Sequence, residues 1–125
     1  MKKILIVEDN QMNMIIFKDI LISNGYHVLE AMDEKSGIEL TKKEKPDLVL
    51  MDIRMKEKDS GVYALKEIRK ESELQKTPII ALTAQAMSGD REYYLGLGFN
   101  DYCSKPIEIN NFIELIHKNL RTSNE

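Results

Sequence analysis

The sequence predicts an α/β domain, a doubly wound parallel β-sheet with helices on both faces. Short apolar runs alternate along the chain with helical patterns of about a dozen residues, which is the pattern of βα units around a parallel sheet. The runs are almost continuous valine, isoleucine and leucine, as expected for strands that are buried on both faces. With 125 residues the chain is large enough for one hydrophobic core, so we expect a single domain.

The first βα unit consists of a strand at residues 3–8 and a helix at residues 11–24. Gly25 follows the helix, and glycine commonly ends helices because it tolerates a left-handed backbone. Apolar residues recur through the helix at helical spacing. They are Met14, Ile16, Phe17, Ile20 and Leu21.

The second unit begins with a weaker apolar run at His27–Ala31. Asp33 is a suitable N-cap for the helix that follows, because its carboxylate can accept from the first free amides. This helix is expected to end near Glu44, with Pro46 as a stop. The third strand is predicted at residues 47–52.

An irregular loop, Arg54–Asp59, follows the third strand, and Ser60 is the predicted cap of helix three. Pro78 opens the fourth strand, at residues 78–83. The buried face of helix three is expected to carry three apolar residues. They are Val62, Leu65 and Ile68.

The fourth helix is predicted at Met87–Leu95, with Gly89 inside it and Gly96 and Gly98 flanking it. Glycine in a helix costs about 1 kcal/mol relative to alanine, so this helix is expected to be the least rigid element.

The fifth strand is predicted at residues 99–103, and Asn110 begins the last helix. The apolar residues of that helix are Phe112, Leu115, Ile116 and Leu120. We therefore expect five strands and five helices in one domain at residues 1–120, followed by a short polar tail at residues 121–125.

The composition excludes several classes of function. The net charge is −3, from 18 basic and 21 acidic residues, so direct binding of nucleic acid is not expected. The single cysteine, Cys103, rules out an internal disulfide and a multi-cysteine zinc site, which fits a reducing cytoplasm. No apolar run approaches the roughly 20 residues that span a bilayer, so we expect neither a membrane span nor a signal peptide.

Polar side chains follow four of the predicted strands. Glu8 and Asp9 follow the first, Asp52 the third, Thr83 the fourth and Lys105 the fifth. The carboxyl ends of parallel strands border the ligand crevice, so these groups are expected to converge. Three carboxylates repel one another unless a hard cation joins them, and Mg²⁺ is the usual choice, with Mn²⁺ as an alternative.

This set of groups predicts phosphoryl chemistry. A carboxylate can attack phosphorus when it is held in line and its charge is neutralised, so Asp52 would form an aspartyl phosphate. Glu8 and Asp9 would hold the metal ion. The Lys105 ammonium and the Thr83 hydroxyl would contact oxygens of the transferred group.

Four motifs, in order and at matching spacing, resemble those of bacterial response-regulator receiver domains over essentially the whole chain. They are Ile6-Val-Glu-Asp-Asn10, Pro46-Asp-Leu-Val-Leu-Met-Asp52-Ile53, Ala81-Leu-Thr-Ala84 and Tyr102-Cys-Ser-Lys-Pro106. The resemblance implies the flavodoxin-like strand order 2-1-3-4-5.

The resemblance also implies roles at the metal. Asp52 would accept the phosphoryl group and contact the ion, and Asp9 would bind the ion directly. Glu8 would act through a water molecule, and the backbone carbonyl of Arg54 would complete the protein ligands.

Further roles follow from the same resemblance. Thr83 and Lys105 would contact the phosphoryl oxygens. Tyr102 would be the aromatic residue that swings inward when Thr83 moves. The peptide bond between Lys105 and Pro106 would be cis, an isomer that is accessible only before proline.

The chain departs from the family pattern after the third strand. Lys56 stands where the family usually has proline, and Gly61 lies nine residues after the phosphoacceptor instead of eight. The Arg54–Asp59 loop is therefore expected to be one residue longer, either as a surface insertion or as a change that alters partner choice or phosphoryl lifetime. Arg54 and Gln85 flank the phosphoryl position and would tune hydrolysis.

The leading hypothesis is a phosphorylation-driven signalling switch of a two-component system or phosphorelay. A sensor histidine kinase or histidine phosphotransferase would donate to Asp52, and the face of helix four, strand five and helix five would bind a downstream protein. The chain would catalyse only its own phosphorylation and dephosphorylation. The Glu8-Asp9-Asn10 start and the compact end resemble those of small stand-alone receivers in phosphorelays and in cell-cycle or motility control.

Three alternatives stay open. The first is that the chain is a receiver excised from a larger regulator, and the second is that it is an interaction module that keeps only the fold. The third is a haloacid-dehalogenase-type phosphatase, which also phosphorylates an aspartate but expects a second aspartate where this chain has Arg54.

Overall fold

Five parallel strands form one sheet in the computed structural model, which describes residues 1–84 and 89–123. The strand order is β2-β1-β3-β4-β5, which confirms the predicted flavodoxin-like order. The strands are β1 (Lys3–Val7), β2 (His27–Ala31), β3 (Leu48–Asp52), β4 (Ile79–Thr83) and β5 (Asp101–Ser104). The helices are α1 (Gln11–Ser23), α2 (Glu34–Glu44), α3 (Ser60–Arg69), α4 (Asp90–Leu97) and α5 (Ile109–Ser123). A short 3₁₀ helix at Ser72–Leu74 was not predicted.

The sheet separates two apolar clusters, because alternate residues of each strand point to opposite faces. Val49 and Met51 of β3 belong to the cluster that includes residues of α3 and α4. Leu48 and Leu50 belong to the other, which includes residues of α1 and α5. Every residue of β3 and β4 is buried, which explains why their sequences are continuously apolar. The edge strand β2 is half-exposed, and its sequence is correspondingly weaker.

The predicted ends of α1 and α2 are confirmed. Gly25 has φ of +87°, and its amide donates to the Ile22 carbonyl while the Tyr26 amide donates to that of Leu21. These two bonds form a Schellman motif, the usual glycine-dependent helix end. Asp33 caps α2 through a 2.8 Å bond from the Ser36 amide.

Three predicted helix ends were wrong. Ser60 is the first residue of α3 and not its cap; its hydroxyl donates to the Glu57 carbonyl and accepts from the Glu57 amide. Gly89, at φ +91°, lies just before α4, whereas Gly96 lies inside that helix. Gln85 and Met87, at the predicted start of helix four, lie outside the described residues.

Helix α5 starts at Ile109, one residue before the predicted Asn110. The Glu108 carboxylate accepts from the Asn110 and Asn111 amides, at 3.4 and 2.7 Å. The helix continues to Ser123, so the first part of the predicted polar tail is helical. In the described part of the chain, no helix has the length and apolar character needed to cross a bilayer.

Candidate functional site

Three carboxylates converge at the carboxyl edge of the sheet. Glu8 and Asp9 follow β1, and Asp52 ends β3, which is the strand beside it. One oxygen from each of the three lies within 4.8 Å of the others. Glu8 and Asp52 are buried, whereas Asp9 is exposed. The strand order thus brings together residues that lie far apart in the sequence.

The chain after β1 holds Glu8 in a fixed position. Its amide donates to the Ala31 carbonyl at 3.0 Å, which extends the pairing with β2. Its carboxylate accepts from the Asn10 amide at 3.1 Å. Asn10 in turn caps α1 by accepting from the Asn13 amide at 2.9 Å. The turn after β1 therefore both starts a helix and orients a buried carboxylate.

Lys105 joins the acidic residues from the other side. The Lys105 ammonium lies 3.0 Å from a Glu8 carboxylate oxygen and 3.3 Å from an Asp52 carboxylate oxygen. Its amide donates to the Thr83 carbonyl at 2.7 Å, and the peptide bond to Pro106 is cis, as the resemblance implies. One cation therefore serves two buried carboxylates.

The charges of this cluster are unbalanced. Burial, followed by the hydrogen bond with Glu8 and the charge of Glu8, raises the pKa of Asp52 to about 7, although Lys105 acts in the opposite direction. Burial lowers the pKa of Lys105, but the hydrogen bonds and charges of Glu8 and Asp52 outweigh burial, so the net shift is upward. The site therefore has more negative charge than its own ammonium compensates.

The donor set suits a hard divalent cation. All three converging groups are carboxylates, and Mg²⁺ and Mn²⁺ bind oxygen ligands of this kind. Such an ion would reduce the repulsion between Glu8 and Asp52, which share the single ammonium of Lys105. The residues present therefore fit a bound Mg²⁺ on chemical grounds.

A cavity of about 400 Å³ opens beside the acidic residues. Its lining includes Asp52, Arg54, Thr83, Tyr94 and Lys105. Thr83 is buried at the end of β4, and in the sheet its neighbour Leu82 is paired with Asp52. Aspartate, hydroxyl and ammonium groups from three neighbouring strands thus face one opening.

Comparisons with known proteins identify the family. The family model of the response regulator receiver domain matches residues 4–117 of the chain. The chain is 40% identical over 115 residues to the polar-differentiation response regulator DivK of Brucella anthropi, a match that covers 92% of this chain and 93% of that protein. The chain belongs to the response regulator receiver family. A receiver is a signalling module of two-component systems, not a classical enzyme, and its general function is that of a phosphorylation switch.

Solved receivers share this fold. One is the receiver domain of a sensor histidine kinase from Pseudomonas aeruginosa, with a magnesium ion coordinated in its active site cleft. Its TM-score is 0.85 at 36% identity, and the match covers 95% of this chain and 97% of that one. A CheY-like receiver from Methanospirillum hungatei has a TM-score of 0.87 at 27% identity. The match covers 99% of this chain and 97% of that one.

The Arg54–Asp59 loop is held at both ends. Lys56, Glu57, Lys58 and Asp59 are exposed. Met55 and Ser60 are buried, and the Ser60 hydroxyl closes the loop on Glu57. The charged side chains of the loop therefore lie in solvent beside the cavity, while the loop ends are packed.

Gly61 fixes the approach of α3 to the end of β3. Its amide donates to the Ile53 carbonyl at 2.9 Å. A Cβ at this position would lie 2.7 Å from the Ile53 Cα and closer still to the Asp52 carbonyl oxygen. Real Cβ atoms do not approach backbone so closely, so only glycine fits here.

Sequence reasoning did not assign Tyr94 to the site. Tyr94 is buried, and it lines the same cavity as Thr83. Its ring stacks on Tyr102, with centroids 5.7 Å apart and an angle of 15° between planes. No local sequence pattern points to Tyr94, because Thr83, Tyr94 and Tyr102 lie on β4, α4 and β5 and meet only in the fold.

Proposed function

We propose that this receiver accepts a phosphoryl group on Asp52 from the phosphohistidine of a partner protein and thereby changes its affinity for a second protein. The donor is a sensor histidine kinase or a histidine phosphotransferase. A carboxylate oxygen of Asp52 attacks phosphorus, the phosphorus–nitrogen bond breaks, and the histidine leaves with the bonding electron pair. Hydrolysis of the aspartyl phosphate later restores the carboxylate.

In the proposed site, Asp9 and Asp52 hold Mg²⁺, Glu8 assists through a water molecule, and the Arg54 carbonyl completes the protein ligands. Mn²⁺ is the alternative ion. When bound, the ion neutralises charge on the transferred group. The similar Pseudomonas aeruginosa receiver, which has magnesium in its cleft, supports this assignment.

Lys105 and Thr83 neutralise the remaining phosphoryl oxygens in this proposal. The Lys105 ammonium already lies 3.3 Å from an Asp52 oxygen, so it is close to the oxygen that would attack. Thr83 supplies a hydroxyl proton from the next strand. A preorganised cation and donor stabilise developing charge without the cost of reorienting at the moment of reaction.

The output is a change in protein binding. A phosphorylated Asp52 would draw Thr83 inward, Tyr102 would follow, and the face formed by α4, β5 and α5 would be repacked. Phosphorylation shifts the population between two states in this scheme. The partner recognised by the repacked face is a protein.

The observation that carries the proposal is the convergence of Glu8, Asp9 and Asp52 within 4.8 Å, with Lys105 on two of them. A module that kept only the fold would have no need for two buried carboxylates, whose burial is costly. A haloacid-dehalogenase-type phosphatase lacks support, since Arg54 stands where its second aspartate is needed.

Incubation with acetyl phosphate and Mg²⁺, followed by intact mass, tests the proposal. We expect one added phosphoryl group on the wild type, none on Asp52→Ala, and wild-type labelling on Asp19→Asn, which removes an exposed aspartate of α1. Chelation of the metal should abolish labelling. Equal labelling of Asp52→Ala, or none on the wild type, would refute the proposal.

A further inference from the structure

A short turn places Lys58 and Asp59 on the wall of the cavity beside Asp52. The Ser60 hydroxyl donates to the Glu57 carbonyl at 3.0 Å and accepts from the Glu57 amide at 2.9 Å. The Ser60 amide donates to the same carbonyl at 3.3 Å, and Ser60 is itself buried. Lys58 and Asp59 are the two central residues of this closed turn, and both line the cavity.

The cations of the cavity differ in how they are engaged. The Lys105 ammonium contacts carboxylate oxygens of Glu8 and Asp52. Arg54 and Lys58 also line the cavity, but both are exposed and neither forms an ion pair with the residues that the structure describes. The Lys58 ammonium is carried on a flexible stem, and it has no ion pair that must break before it can follow an incoming anion.

Lys56 belongs to the same loop but does not line this cavity. It is exposed, as Lys58 is, and the residues of the cavity wall do not include it. Its charge contributes instead to the lowered pKa of Asp33, the residue that caps α2. The loop therefore carries two ammonium groups of equal charge, of which Lys58 is the one beside the phosphoryl site.

An ammonium on the cavity wall favours donors that carry more negative charge. A cleft focuses the field of the charges that line it and raises the local concentration of oppositely charged substrates. Acids also line this cavity, among them Asp59 and Asp90, so the field in the opening would be more negative without Lys58. A dianionic phosphoryl donor would then be repelled more strongly than a monoanionic one.

We propose that Lys58 is a specificity-determining residue of the phosphoryl site, whose ammonium, held by the turn at residues 57–60, attracts phosphoryl donors according to their negative charge. The substrate class that it favours is the small dianionic acyl phosphate. In that reaction an Asp52 oxygen attacks phosphorus, the bond from phosphorus to the acyl oxygen breaks, and the carboxylate leaves with the electron pair. The inference rests on the proposed phosphorylation of Asp52 and deepens it.

Labelling rates with two donors of different charge test this role. Acetyl phosphate is a dianion at neutral pH, whereas phosphoramidate carries less net negative charge. Initial rates of labelling, followed by intact mass at saturating Mg²⁺ and low salt, give a slope against donor concentration for each donor. For Lys58→Met we expect the acetyl phosphate slope to fall about threefold and the phosphoramidate slope to fall less. High salt should remove most of this loss, because it screens exposed charges.

Three further variants separate charge from other effects. Lys58→Arg keeps the charge and should be labelled at close to the wild-type rate. Lys58→Glu reverses the charge and should lower the acetyl phosphate slope about tenfold. Lys56→Met removes an equal charge from the same loop but away from the cavity wall, and should be labelled as the wild type is.

Several results would overturn the role of Lys58. They are an unchanged acetyl phosphate slope in Lys58→Met, an equal loss in Lys56→Met, an equal proportional loss for both donors, and a loss that persists at high salt. An unlabelled wild type would instead reject the proposed function, whereas a labelled wild type whose slopes do not depend on Lys58 would reject only this inference.

Discussion

At the scale of single residues, the acidic cluster at the carboxyl edge of the sheet is an unfavourable arrangement of charge. Glu8 and Asp52 are both buried and share the Lys105 ammonium. Residues that serve function in this way often reduce stability, because the fold must compensate for them. The site should therefore be a source of instability in the metal-free protein.

Asp52→Asn should stabilise the metal-free protein at alkaline pH. The folded pKa of Asp52, about 7, lies above its ordinary value of 3.8, so its ionisation opposes folding increasingly as the pH rises between these values. We expect a gain in unfolding free energy of about 1–3 kcal/mol at about pH 8, which becomes smaller by about pH 5.

Urea unfolding with a chelator present measures this effect. Asp19→Asn, at an exposed position, should leave stability unchanged at both pH values. Mg²⁺ should stabilise the wild type more than Asp52→Asn, since the ion binds the folded state. A destabilised Asp52→Asn under alkaline, metal-free conditions would contradict the expected charge imbalance.

At the scale of elements, the strands and the ends of α1 and α2 were predictable, whereas the ends of α3 and α4 were not. The central strands β3 and β4 are buried on both faces, and burial leaves a continuous apolar signature in the sequence. Ser60 and Gly96 misled the prediction because serine and glycine suit several positions near a helix end. Which position they take depends on tertiary contacts, such as the bonds between Ser60 and Glu57.

Gly61→Ala should disturb α3 and the phosphoacceptor strand together. The new Cβ would meet the backbone of Ile53 and Asp52, which cannot yield as a flexible side chain does. We expect a loss of about 1–3 kcal/mol in thermal or urea unfolding, with slower labelling of Asp52.

Gly96→Ala is the matched control. Gly96 lies inside α4, and a Cβ there would meet nothing within 4 Å. This substitution should stabilise by about 0.4–1 kcal/mol, because alanine restricts the unfolded chain. The same sign of effect for both alanine variants would contradict the close approach at Gly61.

Asp33→Ala should weaken α2 in a pH-dependent manner. Bonds from the Ser36 hydroxyl and amide, with smaller contributions from Lys35 and Lys56, lower the pKa of Asp33. The cap therefore stabilises above the unfolded pKa and is lost as the pH falls through the lowered folded value. We expect a cost of about 1 kcal/mol at about pH 7, decreasing towards about pH 3.

Urea unfolding of Asp33→Ala and Asp33→Asn across this range measures the cap. Asparagine retains a side-chain acceptor, so Asp33→Asn should recover much of the stability at neutral pH and remove most of the pH dependence. A cost for Asp33→Ala that stays constant into acid would contradict this account.

At the scale of the whole molecule, Arg69 ties separate segments at the edge of the sheet opposite the phosphoryl site. Its guanidinium donates to the carbonyls of Leu74, Thr77 and Gly98 and to the Asn100 side chain. The same Asn100 oxygen accepts from the amide of Ile79. Arg69→Met should cost about 2 kcal/mol because these acceptors lose their donor.

Labelling at Asp52 should be unchanged in Arg69→Met at a temperature where the variant is folded. Lys70→Met, at the exposed neighbouring position, should be neutral in unfolding. Loss of labelling in a folded Arg69→Met variant would show that this edge influences the site. Sequence reasoning could not find Arg69, since three of its four acceptors are backbone carbonyls, the farthest of them 29 residues away.

The sheet separates two apolar clusters, one on each of its faces. Tyr94 and the ring of Tyr102 pack on one side, whereas Phe17 and Phe112 fill the other. In a chain divided in this way, one cluster can be rigid while the side chains of the other rearrange. Substitutions around Phe17 and Phe112 would then change the free energy of unfolding, whereas substitutions around Tyr94 would change the shape of the cavity beside Asp52.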